Sequence, residues 1–224
     1  MAKSSPPCVQ RAFTLIEVLV VIAIIIGLAA ILIPSLNSAL ERAKATKDMS
    51  NLRQVGMAIQ TYLNDSDQIL PASTTWPGTA GSPVIYPKYI ATRTVFQSPF
   101  DKRNLAGTDT DPVSYSINTK MFAVAPGISR NMLKVVAPAS TFLMAPNYPT
   151  APGDPRNSGS WPGNFTSAPD LPLGGAGETR GTHSNGTRIN VLFCDLHVEA
   201  VTFGPATAGT GTFQDATKHW DPTQ

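Results

Sequence analysis

The chain has 224 residues, of which 42% are hydrophobic, and a formal net charge of +2. This length fits one long helix followed by one modest globular domain, and it disfavours two large domains. The near balance of 17 basic and 15 acidic side chains argues against nucleic-acid binding through bulk charge, so no nucleic acid is expected among the partners.

The first predicted element is an apolar helix close to the N-terminus. The 21 residues from Phe13 to Ile33 contain one charged side chain, Glu17, and as a helix they would be about 31 Å long. That length is enough to cross the hydrocarbon core of a bilayer. Lys3 and Arg11 precede the helix and, by the positive-inside rule, keep the N-terminus on the cytoplasmic side. An acid inside a membrane span is costly and is therefore a functional hypothesis by default.

Two simpler interpretations of this segment remain open. A secretory signal peptide also has a basic start and an apolar stretch, but its apolar region is about 7–15 residues long and carries no acid near its start. A plain N-terminal membrane anchor accounts for the length of the span. It does not account for Glu17, for the order Phe-Thr-Leu-Ile-Glu, or for Pro34 at the end of the apolar stretch.

The run from Ala12 to Ile25, AFTLIEVLVVIAII, resembles the leader junction of type IV pilins and of the pseudopilins of type II secretion. The resemblance implies that a prepilin peptidase cuts between Ala12 and Phe13 and that Phe13 is then N-methylated. Ala12 stands where the family usually has Gly, and the family's helix glutamate and proline correspond to Glu17 and Pro34. The implied partners are that peptidase, the chain itself and other pilin-like subunits, and an inner-membrane assembly platform. The globular domain that follows the helix, called the head below, would lie in the periplasm or, in a filament, outside the cell.

A physical role for Glu17 follows from such a cleavage. The new amine of Phe13 would carry a positive charge one helical turn from Glu17, or beside the Glu17 of a neighbouring subunit. Removing one partner of a buried ion pair typically costs about 3–5 kcal/mol, so the pairing can set the register in which subunits are added. Pro34 removes one backbone hydrogen bond and marks a place where the helix can bend. Glu17 and Pro34 are therefore the predicted assembly residues.

The helix is predicted to continue beyond Pro34 to about residue 64 as an amphipathic segment. Charged residues, Asp48 among them, are assigned to its water-facing sides, and the run from Asn64 to Pro71 provides the stop. Its apolar residues recur at spacings of mostly three or four. They are Leu36, Leu40, Ala43, Met49, Leu52, Val55, Ile59 and Leu63.

The predicted fold class is α+β, with a small antiparallel sheet packed on the soluble half of the long helix. Residues 68–112 are assigned mostly to loop, with short extended pieces at residues 83–86 and 94–96. Residues 146–181, rich in Pro and Gly, are assigned to a long loop. Six further short runs have strand character. They are residues 113–118, 121–124, 133–136, 141–144, 189–194 and 198–203.

The resemblance to pilin-like proteins extends into the head. The runs at residues 182–186 and 189–198 are similar to the His…Asn-Val-Leu-Phe-x-Asp-Gly-His-Val ending of a bacterial subgroup of pseudopilin-like proteins. His183 and Asp195 are separated by eleven residues where the subgroup commonly has nine. Leu196 replaces the subgroup's Gly, which disfavours a turn that needs positive φ. Two weaker similarities lie at residues 95–101, VFQSPFD, where Ser98 replaces a Cys, and at residues 114–118, SYSIN.

Two groups of residues raise the question of a bound metal. A strand–turn–strand could bring His183, Asp195 and His197 together around a transition metal. The simpler interpretation is a surface hairpin in which Asp195 accepts hydrogen bonds from turn amides. The pairs Asp65-x-Asp67 and Asp109-x-Asp111 raise calcium, which some secretion pseudopilins bind, but neither pair continues as an EF-hand loop.

An enzyme is not predicted, because the sequence lacks a nucleophile elbow, a zinc-protease motif and a phosphate loop. Cys194 follows an apolar run and is assigned to the core as a small buried side chain.

The first functional hypothesis is a structural subunit of a pilus or secretion pseudopilus. A membrane-tethered periplasmic binding domain that does not polymerise is the second, and a secreted enzyme with a cleaved signal is the third. The predicted organisation is a leader at 1–12, a transmembrane helix at 13–34, an amphipathic helix at 35–64 and a globular head at 65–224.

Overall fold

The computed structural model of the protein describes most of the long helix and of the sheet. The described residues are 15–72, 78–79, 82–101, 113–122, 128–146, 181–184, 186–204, 212–213 and 222–223. The chain divides into two compact units, Met1–Leu40 and Glu41–Gln224. Three features predicted above lie outside the described residues: the junction between Ala12 and Phe13, the Asp109-x-Asp111 pair, and almost all of the long loop.

The long helix, α1, spans Leu15–Asp65 and continues through Pro34. The helix ends at Asp65, one residue beyond the predicted end at about residue 64. In the first unit the large apolar side chains are exposed, with Leu15 at 83% and Ile31 at 77%. Within the described part of the chain, α1 is the one helix long and apolar enough to cross a membrane. Such a surface is unfavourable in water and favourable in a bilayer.

In the second unit, one face of α1 is buried in the core of the head. The predicted amphipathic residues that form this face are Leu52, Val55, Ile59 and Leu63, each at most 2% exposed. Leu36 and Leu40, which the periodicity places in the same apolar series, are about half exposed. The first buried residue of α1 along the chain is Asp48, so the buried face begins one turn before Leu52.

The head contains a two-stranded hairpin and a larger antiparallel sheet. Strands β1 and β2 pair with each other, and β3 to β7 form one antiparallel sheet in chain order. This confirms the α+β class. The strands are β1 (Gly78–Thr79), β2 (Ser82–Pro83), β3 (Tyr115–Ile117), β4 (Phe142–Pro146), β5 (Arg188–Phe193), β6 (Val198–Gly204) and β7 (Thr212–Phe213).

The central strand β5 is buried on both faces. Its odd-numbered residues from Ile189 to Phe193 belong to a second core, formed with residues of β4. Leu192 belongs instead to the core that contains the buried face of α1. Because side chains alternate along a strand, Asn190 points to the same side as Leu192 and so faces α1. This polar residue occupies a position where the sheet otherwise presents apolar side chains to the helix.

Three runs predicted as extended form 3-10 turns instead, so those strand predictions were wrong. The turns span Arg93–Phe96, Thr119–Phe122 and Met132–Lys134. Asparagine side chains account for two of them. Asn131 Oδ1 accepts from the backbone N–H of Leu133 at 3.0 Å, and Asn118 Oδ1 accepts from that of Lys120 at 3.0 Å. Such local bonds compete with a strand ladder for the backbone donors.

Candidate functional site

The assembly residues predicted in the N-terminal helix lie on exposed surface. Glu17 is in the first turn of α1, where the positive end of the helix dipole favours an acid by about 0.3–1 kcal/mol. It is exposed, as are its apolar neighbours Ile16 and Val18. Pro34 lies inside the helix and is exposed as well. The pairing of Glu17 with an amine at Phe13 stays a prediction, because Phe13 lies outside the described residues.

The most elaborate polar arrangement of the described head surrounds Asp48, whose side chain is fully buried. Asp48 Oδ1 accepts hydrogen bonds from Ser98 Oγ and from the Tyr115 hydroxyl, each at 2.6 Å. Asp48 Oδ2 accepts from Asn190 Nδ2 at 2.9 Å. We call these four side chains the Asp48 clasp, because they join α1 to the segment after Phe96, to β3 and to β5.

The clasp continues into neighbouring backbone. Asn190 Nδ2 also donates to the carbonyl oxygen of Ala45, one turn earlier on α1, at 3.0 Å. Asn51 Nδ2 donates to the carbonyl of Gln97 at 2.8 Å, which holds the segment carrying Ser98 against the helix. Asn190 Oδ1 is the one buried side-chain polar atom among the described residues that has no hydrogen-bond partner.

Burial sets the electrostatics of the clasp. Desolvation raises the pKa of the Asp48 carboxyl above its ordinary value of 3.8, and the hydrogen bonds from Ser98, Tyr115 and Asn190 act in the opposite direction. All three donors are uncharged, so no cation in the described part of the chain contacts this carboxylate. A buried acid without a cation favours its protonated form.

The sequence contained signals for the clasp that the prediction missed. Asp48 was placed on a water-facing side because it is charged, and this was wrong. Its spacing of four residues from Leu52 puts it on the buried face. Its partners Ser98, Tyr115 and Asn190 all belong to the short runs that resemble the pseudopilin-like subgroup. These runs therefore meet at one carboxylate, although they are 50, 67 and 142 residues from Asp48 in the chain.

The turn between β5 and β6 pairs two of the three candidate metal ligands. His197 Nδ1 lies 2.5 Å from Asp195 Oδ1, which also accepts from the His197 backbone N–H at 3.1 Å. The His197 ring stacks on Phe193, with centroids 4.2 Å apart. Leu196 adopts φ 71°, the left-handed conformation that the subgroup's Gly would favour. The hairpin thus forms with a leucine at the strained position.

His183 has a different environment from that pair. Its ring stacks on Phe100 with centroids 5.8 Å apart, and its Nδ1 lies 3.0 Å from Thr182 Oγ1. Burial lowers the pKa of His183 below 6.5, and the positive charge of Arg188 acts in the same direction. Within the part of the chain that the structure describes, no group of three His, Cys, Asp or Glu side chains could hold a metal ion. The structure therefore does not support the grouping of His183 with Asp195 and His197.

The two remaining candidates from the sequence, Asp65 and Cys194, make contacts typical of structural residues. Asp65 Oδ2 accepts from the Tyr89 hydroxyl at 2.7 Å and lies 3.6 Å from Lys88 Nζ, so this carboxylate of the possible calcium pair contacts a cation. Cys194 is buried at 6% exposure, as predicted, and burial raises the pKa of its thiol. The raised pKa disfavours the thiolate, which is the reactive form, so this thiol is expected to be unreactive.

Comparison with known proteins gives one family-model match and several curated relatives. Residues 8–33 match the family model described as the prokaryotic N-terminal methylation motif. Curated relatives include type IV major fimbrial proteins FimA of Dichelobacter nodosus. One is 38% identical over 79 residues, which cover 33% of this chain and 49% of that protein. Another is 42% identical over 59 residues, covering 26% of this chain and 38% of that protein. The chain thus matches less than half the length of each relative. No solved structure matches the chain significantly.

Proposed function

We infer that this chain, a type IV pilin-like protein, is a structural subunit that a prepilin peptidase processes between Ala12 and Phe13 and that then assembles into a filament. The observation that carries this inference is the match of residues 8–33 to the N-terminal methylation motif. The long apolar helix and the antiparallel head support it. The similar FimA proteins are named as major fimbrial proteins, and a structural role requires no catalytic residue.

In this proposal Glu17 and Pro34 are the assembly residues, and Glu17 sets the register. It is the one acid in an apolar surface, and it lies in the first turn of α1. Cleavage creates a cationic amine at Phe13, and the Glu17 carboxylate of one subunit pairs with the amine of its neighbour as the apolar helices pack together. Because an uncompensated charge between apolar helices is costly, a subunit added in the wrong register is disfavoured.

Before assembly the subunit is held in the bacterial inner membrane, with its N-terminus on the cytoplasmic side and its head in the periplasm. The apolar part of α1 provides the membrane span. After assembly the same helix packs in the centre of a pilus or of a type II secretion pseudopilus. The partners of the proposal are the prepilin peptidase, the chain itself, other pilin-like subunits and the inner-membrane assembly platform.

Mass spectrometry of the mature N-terminus tests the processing step. We expect a chain that begins with N-methylated Phe13 when the full chain is expressed with a prepilin peptidase, and an uncut chain without the peptidase. Cleavage after Ala30 or Ala39 would identify a secretory signal instead. A chain that stays uncut beside an active peptidase would identify a plain anchor.

The assembly step is tested by Glu17→Ala, with Glu41→Ala as the matched control. Both acids lie on α1, but Glu41 belongs to the second unit. We expect Glu17→Ala to be cleaved normally and to enter filaments at least about tenfold less than wild type, since about 3–5 kcal/mol per lost partner exceeds the 1.4 kcal/mol that corresponds to a factor of ten. Sheared filaments are quantified by immunoblot and electron microscopy. Normal incorporation of Glu17→Ala would refute the register role, and a processed wild-type chain that never leaves the membrane fraction would favour the tethered binding domain.

A further inference from the structure

We propose that the Asp48 clasp is a proton-responsive lock between α1 and the sheet, which makes the folded head more stable when Asp48 is protonated than when it is ionised. The lock lies entirely within the second unit, Glu41–Gln224. It is independent of the processing and assembly steps proposed above.

The position of Asp48 makes it a point of control. Asp48 is the first residue of α1 along the chain that is buried. Its two carboxyl oxygens bind groups from the segment after Phe96, from β3 and from β5. One change of charge therefore acts on three attachments of the helix at the place where its buried face begins.

Among the described residues, no charged group contacts the Asp48 carboxyl. The groups that contact its carboxyl are the Ser98 hydroxyl, the Tyr115 hydroxyl and the Asn190 amide, which are all uncharged donors. None of the ion pairs found among the described residues includes Asp48. The other charged residues of the packed elements have different environments. Four basic residues of α1 are exposed, namely Arg42, Lys44, Lys47 and Arg53, and Glu41 is half-buried. The Asp101 carboxylate accepts a hydrogen bond from Ser114 Oγ. Arg188 is exposed and donates a hydrogen bond to the carbonyl oxygen of Ala200.

The hydrogen-bond pattern accommodates an added proton. The acceptors of the clasp are the two oxygens of Asp48, the carbonyl of Ala45 and Asn190 Oδ1, which has no partner among the described residues. The donors are the hydroxyls of Ser98 and Tyr115, the Asn190 amide and the backbone N–H of Phe100, which donates to Ser98 Oγ at 3.4 Å. A proton on Asp48 adds a donor to a group that is short of donors. The two hydroxyls can also accept a hydrogen bond, so they can turn to receive it.

The sign of the pH dependence follows from this arrangement. Burial raises the pKa of Asp48 above 3.8, so between 3.8 and the raised value the folded protein binds the proton and the unfolded chain does not. The stabilisation is therefore fully present below 3.8 and is lost as the pH rises through the raised pKa. Within that interval the contribution of Asp48 to the folding equilibrium constant approaches about a tenfold change per pH unit.

The test compares the full-length wild-type chain with Asp48→Asn in detergent micelles. The free energy of unfolding is measured by denaturant titration across the acidic and neutral range, and the difference between the two proteins is followed with pH. Groups that both proteins share, such as His183, cancel in this difference. Asp67→Asn is the matched control, since Asp67 is an exposed acid just beyond the end of α1. We expect Asp48→Asn to gain stability relative to wild type as the pH rises, and the control to show no such trend.

A direct titration accompanies the stability measurements. In protein carrying 13C-labelled aspartate, we expect one side-chain carboxyl resonance, absent from Asp48→Asn, to titrate above 3.8. A midpoint at or below 3.8, or a stability difference that is flat or of opposite sign, would overturn the proposal. If Asp48→Asn does not fold, Ser98→Ala replaces it. That variant removes one donor to the ionised carboxylate and must raise the midpoint further, whereas an unchanged midpoint would also overturn the proposal.

Discussion

Replacing Tyr115 by Phe removes a single oxygen from the Asp48 clasp. The ring of Tyr115 is fully buried in the core, and Phe retains it, so no large cavity forms. The lost group is the hydroxyl that donates to Asp48 Oδ1 at 2.6 Å. Ser98 Oγ remains on the same oxygen at 2.6 Å. The substitution therefore removes this hydrogen bond to a buried acid and keeps the packing of the ring.

The expected cost of Tyr115→Phe depends on the charge of Asp48. A hydrogen bond to a charged group contributes about 1.5–3 kcal/mol, and one to a neutral group about 0.5–1.5 kcal/mol. We therefore expect a loss of about 2 kcal/mol when Asp48 is ionised, which corresponds to a fall of roughly 4–8 °C in the unfolding midpoint for a chain of this size. In acid, where Asp48 is protonated, the loss should shrink to about 1 kcal/mol.

The assay is denaturant unfolding of the full chain in detergent, followed by near-ultraviolet circular dichroism. Tyr89→Phe is the matched control, because the Tyr89 hydroxyl also donates to an aspartate, Asp65, at 2.7 Å, but on exposed surface. Water can replace that hydroxyl, so the control should lose less than about 1 kcal/mol. If Tyr115→Phe loses no more than Tyr89→Phe at neutral pH, the reasoning that burial strengthens the clasp is refuted.

Two further predictions concern Gly181 and His183, which both lie close to Arg188. A Cβ added at Gly181 would lie 2.5 Å from the carbonyl oxygen and 2.6 Å from the amide nitrogen of Arg188, so Gly181→Ala should cost about 1–3 kcal/mol by forcing the two backbones apart; an unfolding midpoint equal to that of wild type would contradict this close approach. His183 has a pKa lowered below 6.5, chiefly by burial, so its contribution to stability is present above 6.5 and is lost as the pH falls through the lowered value. His183→Phe retains an aromatic ring against Phe100 and should flatten that part of the stability curve, and a curve parallel to wild type between about pH 7 and pH 5 would argue against it.

The long helix and the α+β class were predictable because their signals are local. The apolar run and the amphipathic repeat specify α1 up to its last residues, since each depends on neighbours three or four positions away. The strands β3 to β6 were found for the same reason. Residues 94–96, 121–122 and 133–134 were predicted wrongly as extended. There the apolar pattern resembles a strand, but the backbone forms 3-10 turns, two of them with bonds to the side chains of Asn118 and Asn131.

The turn at Leu196 shows tertiary structure overriding a local preference. A leucine disfavours positive φ by about 1–2 kcal/mol, which argued against the turn. The side chain nevertheless packs against the main core, and the Leu196 carbonyl lies close to Gly56 of α1. The helix and the hairpin thus hold Leu196 in a conformation that its own backbone preference opposes.

By itself the sequence determined the features near the N-terminus: an apolar helix with one acid, preceded by a junction typical of pilin-like proteins. These properties are local, because an apolar stretch and a short motif are defined by residues that are adjacent in the sequence. Only the tertiary structure decided the role of Asp48, which was predicted from its charge to face water. Its burial depends on a sheet that covers one face of α1, and its partners Ser98, Tyr115 and Asn190 reach it from three distant parts of the chain. Periodicity can indicate which face is buried, but it cannot show which donors will meet there.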